Sequence, residues 1–431
     1  VSHPPLRANR DFRLLWIGGL LSGLGGQMAT LALPLLILAQ TDSPARAGLV
    51  GSVTMAATLV ALLPGGAVAD ATERRRLMLA CQLAATALSG LLTVAVLANR
   101  PALALILLVT VSGAVLSTFY GPAAAALLRS AVPAEHLGAA ISRLQARSAA
   151  ARLAGPLLGG ALFGLGPALP FLAETCGLIA SFGCVLAVRA RAAPTTPDTG
   201  GRTRRHLTAG IVFCWQQRYL RTVLVLFGAG LNSAIGGVML AAIASSASRD
   251  PSGRSSGAVV ALASAGSLAG SLLAARTRAH ERPRSTTLLT CWTCTAGVAL
   301  LAFTPHPLLV GAILGTCLLV AAVGNVVFAT AMLLVTPPHL VGRVQSAAAL
   351  ISLATQPVGP LAGGLLLDHF GPGTTFAVFA VVLGCCAAAA TIAPGLHHAP
   401  YAPSAPSTPA TAGLSDARSG SAPNGPDSEG R

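Results

Sequence analysis

The sequence predicts an all-α membrane protein with twelve transmembrane helices in two pseudo-symmetric six-helix bundles. Three observations carry that expectation. Of 431 residues, 53% are hydrophobic and only 10% are charged, and the mean hydropathy is +0.71. A soluble domain carries about 25% charged residues to wet its surface, and a single soluble core stops growing beyond roughly 250–300 residues. Apolar stretches of the length that crosses a bilayer, about 20 residues, recur between short polar or Pro/Gly links. Finally, a motif of the first half of the chain returns in the second half at a fixed offset.

The apolar stretches place spans at 13–39, 47–69, 77–97, 102–128, 141–164 and 168–188, then at 221–245, 257–275, 286–304, 307–335, 343–367 and 373–393. No cleavable-signal pattern precedes the first apolar run, which is therefore expected to be the first span. The domain boundaries follow: a first bundle over 1–188, a cytoplasmic central link over 189–220, a second bundle over 221–393 and a tail over 394–431. The tail turns to Pro, Ser, Ala and Gly and is expected to be disordered, because it cannot bury enough surface to offset its ordering entropy.

The net charge is +15, and every basic residue is Arg. The arginines sit in the links rather than on a folded polar surface, so they read as topology signals and not as a nucleic-acid footprint. One set of links holds Arg74, Arg75, Arg76, Arg129, Arg189, Arg191, Arg202, Arg204, Arg205, Arg276, Arg278, Arg282 and Arg284; the opposite set holds Arg46, Arg100, Arg249 and Arg254. The positive-inside bias then puts both termini in the cytoplasm. Nine cysteines are scattered, and the Cys291/Cys294 pair has no second pair or nearby His to complete a zinc site.

The repeat pairs Gly155-Pro156-Leu157-Leu158-Gly159-Gly160 with Gly359-Pro360-Leu361-Ala362-Gly363-Gly364, an offset of 204. The same offset pairs Pro133 with Pro337, Gly138 with Gly342 and Ser142 with Ser346. Two repeated halves are a recurring transporter plan, with the substrate near the midplane between them and rocking to alternate access. Gly155, Pro156, Gly359 and Pro360 serve either close helix packing or that rocking motion.

These features resemble the major facilitator superfamily over nearly all of the first 395 residues. Within it, Asn9-Arg10-Asp11-Phe12-Arg13-Leu14-Leu15-Trp16, Phe119-Tyr120-Gly121-Pro122-Ala123, Val132-Pro133-Ala134-Glu135-His136-Leu137 and Arg152-Leu153-Ala154-Gly155-Pro156 are similar to the bacterial drug:proton antiporter branch that includes macrolide and siderophore exporters. The resemblance implies the major facilitator fold in a bacterial inner (plasma) membrane. The superfamily's loop motif between spans 2 and 3 is matched by Gly66, Asp70, Arg74, Arg75 and Arg76, with Ala71 and Glu73 departing from it. Asp70 stands at the C-terminal end of span 2, where the helix dipole disfavours a negative charge. Its compensation comes either from the Arg74–Arg76 cluster or from the N-terminus of span 11 near Gly342. The second contact would exist only with the cytoplasmic ends closed, which makes Asp70 a gating residue; an ordinary interfacial charge is the alternative.

Charges within spans are functional candidates because they are costly to insert. Arg152 lies near the middle of span 5, Arg147 can snorkel towards the cytoplasm, and Glu174 lies about 9 Å inside span 6 from the outside. An Arg152–Glu174 pair would need offset helices, since their depths differ by about 11 Å. Proton coupling needs an embedded acid: Glu174 is the first candidate and Asp368, at the outer mouth of span 11, the second. Against Glu174, the resemblance puts span 6 on the periphery, away from the cavity. The resemblance lines the cavity with spans 1, 4, 7 and 10, which offer Gln27 and Thr30, then Ser117, Thr118 and Tyr120, then Asn232 and Ser233, then Asn325 and Thr330. Such groups suit a neutral or mildly polar organic ligand, or they are helix–helix hydrogen bonds.

The expected function is secondary transport that exports a small amphiphilic compound, such as an antibiotic or secondary metabolite, with protons as the coupling ion. An importer of a polar nutrient and a non-transporting membrane sensor or scaffold stay open as alternatives. No HExxH, GxSxG or His cluster supports an enzyme. The expected partners are the substrate and the lipid bilayer, with no nucleic acid, no cofactor and no metal, and a monomer is the expected working unit.

Overall fold

A computed structural model describes residues 6, 9–71, 73–99, 101–189, 210–277, 282–304, 306–337, 340–394 and 396, with backbone alone for 63–71 and 275. The first half forms α1 (Arg10–Thr41), α2 (Pro44–Ala71), α3 (Arg74–Leu97), α4 (Leu103–Ala131), α5 (Ala134–Leu165) and α6 (Leu169–Ala187). The second half forms α7 (Arg218–Arg249), α8 (Arg254–Arg276), α9 (Pro283–Leu301), α10 (Pro307–Val335), α11 (Val341–Ala354) and α12 (Val358–Ile392). Residues 210–216 are also helical, ahead of the start expected at 221. Most of the central link and nearly all of the tail lie outside the described residues.

Proline and glycine set the helix boundaries. Pro283 and Pro307 open α9 and α10, where a missing N–H costs nothing. The 52 residues of Val341–Ile392 are strongly apolar on the whole but too long for one crossing. Gly371, at φ 76°, breaks α12 in a conformation that L side chains rarely adopt. The limb before it completes the eleventh crossing, and the limb after it is the twelfth.

The eleventh crossing differs from the continuous span the sequence predicts over 343–367. It stops at Ala354 and restarts at Val358. Pro357 is the physical reason: it has no N–H to bond Leu353 O, and the backbone around it tightens to three-residue bonds from Gln356 N to Leu353 O and from Val358 N to Thr355 O. Facing this break, the turns of α7 over Leu224–Leu231 are π-helical. The two irregularities are tied together, because Ser233 donates to the Thr355 carbonyl (2.6 Å) and Thr355 donates to Ala229 O (3.3 Å).

The opening Asn9–Trp16 segment closes the first bundle at its Arg-rich end. The Asn9 side chain caps α1 by accepting from Phe12 N (3.0 Å) and donates to Ala131 O at the end of α4 (2.8 Å). Asp11 accepts from Arg189 N, and Trp16 donates to Arg143 O on α5. One buried cluster gathers Leu35, Leu92 and Phe171 with Leu240 and Ile243 of α7, and a second, within the second bundle, gathers Leu220, Cys294 and Leu383.

Candidate functional site: a cavity closed at one end

A cavity of about 770 Å³ lies between the bundles, walled by α1, α2, α3, α4, α6 and α7 and touched by Pro360. That volume falls within the range of small-molecule sites. Its walls are largely apolar, with Leu33, Ile37, Val50, Leu92, Met239 and Ile243 among them, and Glu174 is the single acid in the lining among the described residues.

Of the residues singled out from the sequence, Gln27, Thr30, Ser117, Tyr120, Glu174 and Pro360 meet at this cavity. Thr30 donates to Gly26 O (2.7 Å), and Tyr120 accepts from Gln82 (3.3 Å). Asn232 and Asn325 are not part of the lining; Asn232 sits where α7 changes from π to α geometry, and Asn325 is exposed on α10. Arg152 is exposed and makes no hydrogen bond or ion pair among the described residues, so the pair with Glu174 does not form.

The expectation that span 6 stays peripheral is corrected by Glu174 itself. A side chain on Gly25 would stand 2.6 Å from Glu174 Cα, and one on Gly177 would stand 2.6 Å from Leu21 O. These glycines let α1 and α6 pack backbone to backbone, which brings Glu174 to the cavity wall. There its carboxylate accepts from Ser89 (3.0 Å), and Ser89 and Thr93 both hydrogen-bond Thr175. Gln82 and Ser89, both on α3, are cavity residues that the sequence reading missed.

The duplicated motif builds the closure at the Arg-poor end, each copy using its positions in the same way. Gly155 packs on Gln27 of α1, and Gly359 packs on Ser233 of α7, within their own bundles. Pro156 O lies against Gly257 of α8, and Pro360 O lies against Gly48 of α2, across the bundles. A side chain on Gly160 would stand 2.5 Å from Gly253 O, and one on Gly364 would stand 2.5 Å from Pro44 O, again across the bundles. Ser52 donates to Pro357 O, and Ser43 donates to the Asp368 carboxylate (3.3 Å), at the same closure. Asp368 therefore stands at the rim rather than in the cavity wall.

Asp250 supports this closure from the turn before α8. Its carboxylate accepts from Ser252 Oγ (2.6 Å), Ser252 N (3.1 Å) and Ser255 N (3.1 Å). The Ser252 hydroxyl above all holds the carboxyl below the ordinary range. A depressed carboxylate stabilises above its unfolded value and loses that contribution as pH falls through its folded one. Asp250→Ala is thus expected to lower the melting temperature in detergent at pH 7. The difference from wild type should begin to shrink only below about pH 4, the ordinary carboxyl range, and close as pH falls through the depressed folded value; a difference independent of pH would contradict this role.

At the Arg-rich end, Arg75 donates to the Val185 and Leu186 carbonyls at the end of α6, and Arg76 pairs with Glu73 (2.6 Å). Arg75 thereby satisfies helix-terminal acceptors that would otherwise need water. The side chain of Asp70 lies outside the described residues. Among the described residues, no group of three or more His, Cys, Asp or Glu is arranged to hold a metal.

The model of the Major Facilitator Superfamily matches residues 15–354. The chain belongs to this superfamily. Among characterised members it is similar to the multidrug efflux pump Tap of Mycolicibacterium fortuitum, at 26% identity over 403 residues that cover 89% of this chain and 95% of Tap. Superfamily structures with the same fold include a bacterial homolog of the human lysosomal transporter Spinster, solved in an inward-facing and unoccupied conformation. It has a TM-score of 0.70 at 15% identity and covers 94% of this chain and 100% of that one. The nucleoside transporter NupG gives a TM-score of 0.72 at 12% identity, with 88% and 99% covered. The chain is accordingly a multi-pass membrane transporter and not an enzyme.

Proposed function

We propose that the protein exports a small amphiphilic compound across a bacterial plasma membrane by alternating access, with proton antiport through Glu174. The observation that carries this reading is the cavity: a mostly apolar chamber with one acid in its wall, closed at one end by two copies of the same helix contact. Apolar walls suit the body of an amphiphile, and a few polar groups fix its orientation. An acid in a substrate cavity can exchange a proton for substrate, so one site can serve both.

In this reading the open end and both termini lie on the cytoplasmic side, which the positive-inside bias of the Arg-rich links supports. The state is then inward-facing, and Gly155, Pro156, Gly359 and Pro360 form the outer gate together with α2 and α8. Asp70, Arg74 and Arg75 belong to the inner gate in this reading, where Arg75 already ties α3 to the end of α6. The similarity to Tap favours a drug-like substrate and export. A polar nutrient would leave its own hydrogen-bonding groups unmatched against most of this wall.

The test is accumulation of a panel of antibiotics and fluorescent dyes in efflux-deficient cells, with and without the protein and with and without a protonophore. Lower accumulation that the protonophore reverses is the expected result. Unchanged accumulation across the panel, with the protein present in the membrane, would contradict it.

A further inference from the structure

The helix ahead of α7 carries apolar side chains that the described residues leave uncovered. Residues 210–216 fall inside the link expected to be cytoplasmic, yet they are helical and docked on the second bundle. Gly210 packs on Arg343 O at the start of α11, and Cys214 is fully buried with its thiol towards Val344 O. The face turned away from α11 presents Ile211, Val212 and Trp215, all exposed. In water such a face forfeits the free energy of burial; at a membrane surface it is covered, with the indole at headgroup depth.

Two arginines follow at once. Arg221 folds back to donate to Trp215 O (3.5 Å), and Arg218 is exposed one turn before it. Neither has an ion partner among the described residues. The described acids of the second bundle, Asp250 and Asp368, stand at the Arg-poor closure, the far end of the helices. α7 runs for 32 residues from Arg218, about 48 Å at helical rise, against a hydrocarbon core of about 30 Å. Its first turn therefore has length to stand outside the core, at the depth of lipid phosphates.

We infer that Trp215, Arg218 and Arg221 form a site for the headgroup phosphate of an anionic phospholipid in the leaflet at the Arg-rich end. Arg218 and Arg221, three residues apart, share one helix face and can close on a single phosphate. Charge decides the occupant. An apolar protein partner would bury two guanidinium groups without a countercharge. A zwitterionic lipid covers the apolar face but brings its own cation to the arginines. An anionic lipid covers the face and supplies the missing charge.

The purified full chain in detergent is titrated with phosphatidylglycerol and with phosphatidylcholine of the same acyl chains, and retention is read by native mass spectrometry. The wild type should prefer phosphatidylglycerol. Arg218→Gln and Arg221→Gln should each lower that preference about fivefold, the loss expected for one arginine at an anionic surface. Arg218→Lys should keep most of it. Trp215→Ala should weaken both lipids and leave their ratio unchanged. Arg76→Gln removes the same charge from the first bundle, where Arg76 is paired with Glu73, and should also leave the ratio unchanged. Melting temperatures without added lipid check that each variant is folded. Equal retention of the two lipids by the wild type, an unchanged ratio in both glutamine variants, or an equal loss in Arg76→Gln overturns the site. Competition by free sn-glycerol 3-phosphate at the lipid's concentration would assign the arginines to a soluble anion and overturn it as well.

Discussion

Replacing Gly160 or Gly364 by Val is expected to cut efflux strongly while leaving the protein folded and inserted. A Cβ at either position meets a backbone carbonyl of the opposite bundle at 2.5 Å, and backbone cannot move aside as a flexible side chain can. Overpacking of this kind costs about 1–3 kcal/mol. Here the clash exists only while the outer ends are closed, so its cost falls on one conformation rather than on folding. Since each 1.4 kcal/mol is tenfold, the population should shift by about tenfold or more towards the outward-open state. Two contrasts make the prediction specific. At Gly159, where a Cβ would stand 2.9 Å from Met28 Cα of the same bundle, Val should instead lower thermal stability and membrane yield. At Gly183, where nothing lies within 4 Å, Ala should be silent. Efflux, yield and outer-end cysteine labelling, measured together, check all three. Equal behaviour of Gly159→Val and Gly160→Val would remove the distinction between packing and gate.

Glu174→Gln is expected to abolish proton-driven efflux down to the passive baseline. Gln keeps the size and can still bond Ser89, but it cannot gain or lose a proton, so the chemical gradient has no handle on the cycle. Exchange of an uncharged substrate across proteoliposomes needs neither the proton nor the carboxylate charge and should survive, which separates a coupling defect from a collapsed bundle. If Glu174→Gln pumps against a gradient at the wild-type rate, protons are carried elsewhere or not at all. Ser89→Ala removes only the hydrogen bond to the carboxylate and should shift the pH at which efflux is half-maximal without removing coupling.

Much of this architecture was legible in the sequence because lipid imposes a blunt pattern. Apolar length gives the spans, and two copies of one hexapeptide motif announce two halves. Where the outcome departed from expectation, the cause was a local rule or a contact between distant segments. Pro357 breaks the eleventh crossing, a consequence available from residue chemistry but masked by the apolar run around it. The alignment of Gly25 and Gly177 that brings Glu174 to the cavity depends on how α1 and α6 are rotated against each other. No single span carries that rotation. Gln82 escaped for the same reason, since an amide in an apolar run reads equally as a helix–helix bond or as a ligand contact. The Asn232 and Asn325 expectations came from span numbering alone. With the Arg-poor end closed, the lining is contributed mostly by the first bundle, and neither residue is part of it.

The most direct test of the central claim is a cross-link through the outer closure. Ser43, at the turn between α1 and α2, donates to Asp368 of α12 across the two bundles. Ser43→Cys with Asp368→Cys, in a background where the exposed Cys176 and Cys385 are serine, places two thiols at that contact. Dye efflux is then measured in the oxidised and the reduced protein. The account predicts that the oxidised protein forms the cross-link and stops transporting, and that a reductant restores efflux. A fully cross-linked protein that still pumps at the reduced rate would show that this contact need not open, and alternating access through the duplicated Gly-Pro gate would be contradicted.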